Sequence, residues 1–127
     1  MSNHIHLMMR SDTHSLSDIL RDFKGYTSKR IVDEVKGNPS ESRRRWMLEI
    51  FSRAGAKNPN NQHYQIWQQH NHPMELDSAG IIDQKADYIH NNPVKAGLVD
   101  FPENWRYSSA PAYAGQPALL DLEFIDG

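Results

Sequence analysis

The chain has 127 residues, with 14 Lys/Arg, 16 Asp/Glu and no cysteine. That length fits one domain able to bury a core without staples, and the missing cysteines exclude disulfides and thiolate metal sites. No apolar run approaches the roughly 20 residues of a membrane helix and no signal peptide opens the chain, so a soluble cytoplasmic protein is expected. The formal charge of −2 hides an asymmetry: residues 1–57 carry eleven Lys/Arg against seven Asp/Glu, and residues 58–127 three against nine. The basic half could face phosphates, because local potential rather than net charge attracts a polyanion, although by composition alone solvated helix faces are the plainer reading.

In chain order, residues 4–9 (His4-Ile5-His6-Leu7-Met8-Met9) read as a buried strand, with His4 and His6 on one face and Ile5 and Leu7 on the other. After the polar break Ser11-Asp12-Thr13-His14, Ser15 and Asp18 resemble a capping box. Leu16, Ile19, Leu20, Phe23, Thr27, Ile31 and Val35 then recur at helical spacing until Gly37-Asn38-Pro39. A second helix is expected from about Ser40, with Trp46, Met47, Ile50, Phe51 and Ala54 as its apolar stripe and Gly55 just past its end. Arg43, Arg44 and Arg45 crowd its first turns, where the helix dipole offers cations nothing. They point to an anionic partner or to acidic neighbours.

Residues 56–62 read as a polar loop, residues 64–68 as an alternating strand, and residues 73–77 as an edge strand or extended segment. Ser78 then caps a third helix through Ile81, Ile82, Lys85, Ala86 and Ile89. Pro93 is expected to stop it, with a last turn at residues 94–96 closed by Gly97. The tail reads mostly as loop. This order fits an α+β chain.

Two motifs carry chemistry. His4 and His6 share a strand face, and Tyr88 and Asn92, four apart, share a helix face. Two imidazoles and a carboxamide oxygen suit a divalent ion, and a tyrosine hydroxyl beside them suits covalent attack on a phosphodiester. Each residue also has a plainer reading. The histidines suit a half-solvated strand face, Tyr88 suits the rim of a core, and Asn92 before Pro93 suits a helix end. Lys24, Lys29, Arg30, Arg43, Arg44 and Arg45 are the candidate phosphate contacts. Trp67 and Trp105 are candidate base platforms, although tryptophan is more often core. Tyr26 is a competing nucleophile, and His70-Asn71-His72 a second His-x-His in a polar loop.

Three stretches together resemble the single-tyrosine transposases of the His-hydrophobe-His (HUH) single-strand endonucleases, including their repeat-associated relatives. They are residues 1–7 (Met-Ser-Asn-His-Ile-His-Leu), residues 86–99 around Tyr88-Ile89-His90-Asn91-Asn92-Pro93, and residues 102–110 (Pro-Glu-Asn-Trp-Arg-Tyr-Ser-Ser-Ala). The resemblance covers most of the chain and implies one HUH domain over residues 1–127, with a ferredoxin-like antiparallel sheet and helices on one face. It implies Tyr88 as nucleophile and His4, His6 and Asn92 as ligands of Mg2+ or Mn2+. The implied reaction nicks and rejoins single-stranded or hairpin DNA through a 5′-phosphotyrosine link, in support of DNA transposition. That family places a strand and a helix before its His-x-His strand, whereas here only three residues precede His4. The domain is therefore expected to be short by those elements, with a sheet edge open to a second chain and a homodimer possible. The alternatives are a catalytically inactive hairpin-DNA-binding relative and a His-based metalloprotein unrelated to DNA.

Overall fold

The computed structural model describes residues 3–60 and 63–124. Met1 and Ser2 of the first motif, and residues 61 and 62 of the expected polar loop, lie outside them. The element order is α1 (Leu16–Gly37), α2 (Arg44–Ala56), α3 (Ala79–Lys95), a single 3-10 turn (Pro102–Asn104) and α4 (Ala110–Tyr113). The chain divides into two compact units, Met9–His72 and Met1–Met8 with Pro73–Gly127. No helix among the described residues is long and apolar enough to cross a membrane.

The expected ferredoxin-like α+β sheet is not formed: the described residues contain helices and extended chain but no strand. Alternating side chains qualify a segment for a strand, but a strand exists only when a neighbour lies within about 4.8 Å to share a hydrogen-bond ladder. Residues 4–9 make no backbone ladder, and Ile5 and Leu7, expected on the core face, are about half exposed. Residues 64–68 are held instead by a helix, through the Gln65 N–H donating to the Phe51 carbonyl at 2.9 Å. Residues 73–77 carry no secondary structure.

In the Met9–His72 unit, α1 follows its pattern. Ser15 takes the N-cap position, but its side chain makes no capping bond. Asp18 pairs with Arg21 at 2.5 Å instead, so the capping box is not made. Asn38, extended ahead of Pro39, ends the helix. Val32 and Val35 are its buried positions, each worth about 1.5 kcal/mol or more. Leu16 and Phe23, from the same stripe, stay exposed. α2 starts at Arg44, after Glu41 has accepted the Arg43 backbone N–H at 2.9 Å and its Nε–H at 3.1 Å. An acidic neighbour thus answers one arginine of the cluster. Gly55 lies inside α2 and is buried, not past its end, because residues 63 and 64 pack against it.

In the other unit, Ser78 caps α3, its Oγ accepting the Ile81 N–H at 3.4 Å, an interaction worth about 1 kcal/mol. Pro93 does not stop the helix: it lies within it, buried. A proline inside a helix costs about 3 kcal/mol, because it has no N–H for the carbonyl of Ile89 four residues back; just beyond it the helix closes through three bonds. Ala96 N–H donates to Asn92 O, Gly97 N–H to Val94 O and Leu98 N–H to Pro93 O, each at 2.9 Å. Gly97 has φ +70°, the left-handed residue such a closure requires. The 3-10 turn packs on both α3 and α4, so the expected loop-like tail contains two short ordered elements.

Candidate active site

The HUH pair and the tyrosine come together although they start from opposite ends of the chain. The His4 and His6 rings are 5.1 Å apart, nearly perpendicular, and His6 lies edge-on to Tyr88 at 5.7 Å. Extended chain puts alternate side chains on one side, so the two imidazoles converge without a sheet. The Asn3 Oδ1 accepts a hydrogen bond from His4 Nδ1 at 2.7 Å. This fixes the tautomer that leaves Nε2 free as a ligand. Desolvation, and then the charge of His4, hold His6 below the usual imidazole value, which favours the neutral, ligating form.

Two imidazoles this close could hold a divalent ion between them. No group of three His, Cys, Asp or Glu that could hold a metal ion exists among the described residues, so a third protein donor would be an oxygen of another kind. Asn92 supplies a candidate: it lies one turn beyond Tyr88 on the same helical face, and its Nδ2 is buried with no hydrogen-bond partner. A buried unpaired amide is costly. Turning the carboxamide over would put its oxygen, an acceptor, in that place.

Tyr88 is 47% exposed, accessible enough for a polymer to reach its hydroxyl. Lys85 and Lys95 each place an ammonium 5.9 Å from its ring. A shallow hollow of about 280 Å³ beside it is lined by Gln84, Asp87, Tyr88, Asn91 and Lys95. The two lysines were not among the expected phosphate contacts, yet their positions were readable. Residues 85, 88, 92 and 95 follow helical spacing and share one face. Two cations beside a hydroxyl can hold a phosphate through charge-assisted bonds.

Behind this face, His90 is buried, and its Nε2 shares a 2.8 Å hydrogen bond with Ser109 Oγ. Its ring stacks edge-on with Tyr113 at 5.0 Å, and Tyr113 with Phe124 at 5.1 Å. Ser108 Oγ accepts the Ala110 N–H at 3.1 Å and so braces the start of α4. Ser109 thus ties the C-terminal elements to α3, and Ser108 steadies them. Burial holds His90 below the usual imidazole value, with Asp87 opposing. The unfolded state therefore binds its proton first on acidification. The stability His90 contributes is complete above about pH 6.5 and is lost as pH falls through its lower native value. Urea unfolding midpoints measured against pH should show that fall in the wild type and a flatter profile in His90→Gln; equal slopes would reject the assignment.

The expected DNA contacts lie in the Met9–His72 unit. Lys24 and Lys29 line one groove there, whereas Arg30, Arg43, Arg44 and Arg45 are not part of its lining. Arg30 lies 3.6 Å from Glu34 and Arg43 pairs with Glu41, while Arg44 and Arg45 are exposed. Trp67 is half-buried and lines the same groove, its Nε1–H donating to Thr27 Oγ1 at 2.8 Å and its ring lying beside Phe23. Trp105 is half-buried beside Tyr107. Tyr26 is exposed on α1 with no histidine ring against it. His70 and His72 are exposed loop residues with rings 6.3 Å apart.

No family model, no curated protein and no solved structure matches this chain.

Proposed function

We propose that this chain is a metal-dependent strand transferase of the single-tyrosine HUH type, which nicks and rejoins single-stranded or hairpin DNA and so serves DNA transposition. The convergence of His4, His6 and Tyr88 carries this reading. The three are far apart in sequence, and no packing requirement calls for two exposed imidazoles beside an exposed phenol. In the proposed step Tyr88 Oη bonds to phosphorus and the P–O3′ bond breaks. The phenolic proton ends on the departing oxygen, leaving a free 3′-OH and a 5′-phosphotyrosine. Reversal of the same step on a second 3′-OH rejoins the strand without ATP.

Lys85 and Lys95 would hold the phosphate against the phenol. His4, His6 and the Asn92 carboxamide would hold Mg2+ or Mn2+, which when bound polarises the phosphate and offsets its growing charge. The reading is tested by incubating the chain with hairpin DNA from the flanks of its own gene and Mn2+. A covalent protein–DNA adduct on a denaturing gel supports it, and absence of an adduct with bound DNA sinks the catalytic part. A separate measurement addresses the ligands. Titration calorimetry with Mn2+ should show affinity falling at least about tenfold in His4→Ala or His6→Ala; undiminished binding in both would remove the HUH pair from the metal site.

A further inference from the structure

A groove of about 820 Å³ runs along α1 in the Met9–His72 unit, against Asn58, Asn60 and residues 63–71. Its two walls differ in chemistry. On the α1 wall, Arg21, Lys24, Lys29 and Lys36 face a single carboxylate, Asp33. Lys24 is committed to the Gln68 carbonyl at 2.7 Å, and Lys36 lies over the Tyr64 ring at 4.8 Å. The Lys29 ammonium has no acidic partner among the described residues. On the opposite wall, Gln68, Gln69 and Asn71 line the groove with exposed carboxamides that have no partner among the described residues.

We propose that this groove is a reading site for unpaired bases of single-stranded DNA, distinct from the residues around Tyr88. A carboxamide presents a donor and an acceptor side by side, the pattern that pairs with a base edge. Full base edges are open only where the strand is unpaired. Arg21 is paired with Asp18 and Asp22, so a strand lying lengthwise would set its phosphates on Lys29 and its bases on the amides. The cavity size suits a short stretch of strand and not a duplex. Which nucleic acid the groove meets rests on the DNA-transferase reading above; its chemistry does not depend on Tyr88.

The test uses the full chain and a fluorescent 12-nucleotide single strand carrying 5-iodouracil, read by anisotropy and by photo-crosslink mapping. Lys29→Glu should weaken binding about tenfold for every sequence and lower the salt slope by about one. The double variant Gln68→Ala with Asn71→Ala should weaken binding about tenfold for a preferred sequence and flatten the preference among sequences. All three side chains are exposed, so folding is not at stake. Crosslinks should map to α1 or to residues 63–71. Wild-type affinity in both variants, equal binding of duplex, no binding by the wild type, or crosslinks elsewhere would each overturn the proposal. Adduct formation in groove variants at saturating DNA separates the two ideas. An adduct with an inert groove keeps the tyrosine reading and removes this one, and a working groove without any adduct does the reverse.

Discussion

Tyr88→Phe is expected to abolish covalent adduct formation, by at least about a thousandfold, while single-strand affinity stays within about twofold. The substitution removes one oxygen and leaves the ring. The ring is what touches His6 at 5.7 Å and lies beneath the ammonium groups of Lys85 and Lys95, so the surroundings of the site persist. The position is half exposed, and phenylalanine there costs little stability. Lys95→Ala should give a smaller loss, about tenfold in the rate of adduct formation, because it removes one charge-assisted contact to the phosphate and leaves the nucleophile. A denaturing gel with labelled hairpin DNA and Mn2+ reads both. An adduct that survives in Tyr88→Phe would move the nucleophile elsewhere, with Tyr26 the first candidate. An adduct absent even from the wild type, with binding intact, would select the hairpin-binding alternative.

The helices were legible because their signals are local. The spacing of apolar residues located α1, and Ser78 and Gly97 marked the start and close of α3 through caps that the structure makes. The strands were not legible, because a strand depends on a neighbour and alternation in residues 4–9 says nothing about whether one exists. Pro93 is a stop by local propensity, yet it lies buried inside α3, where tertiary packing overrides propensity. Of the site, His4, His6 and Tyr88 were visible as residue types at suggestive spacing. Lys85 and Lys95 share the helical register of Tyr88, but two cations in an acidic half are a weaker signal than the dense basic half. The His90–Ser109 bond and the amide-lined groove were beyond reach, since each joins segments whose approach no local pattern encodes.

Gly55→Ala is the substitution expected to damage the Met9–His72 unit most for its size. Within a helix the exchange ordinarily gains about 1 kcal/mol from propensity. Here a Cβ would meet the His63 carbonyl oxygen at 2.7 Å, its carbon at 2.9 Å and Tyr64 Cα at 3.0 Å. All three are backbone atoms, which cannot swing aside like the tip of a side chain. Overpacking of this kind costs about 1–3 kcal/mol, and pushing the segment away also sacrifices the Gln65-to-Phe51 hydrogen bond, worth about 1 kcal/mol. Strain outweighs propensity, and a net loss of about 1–3 kcal/mol should appear as a lower urea midpoint. Gly80→Ala, at a helical glycine whose Cβ meets nothing within 4 Å, should instead raise stability by about 0.5 kcal/mol. The damage should also reach binding. Residues 63–69 form one wall of the groove along α1, so displacing them parts the carboxamides from Lys29, and single-strand affinity should fall about as far as in the Gln68 and Asn71 double variant. Unchanged stability and unchanged affinity in Gly55→Ala would mean that the segment yields freely, and a wall that yields freely cannot hold amides in register with a row of bases.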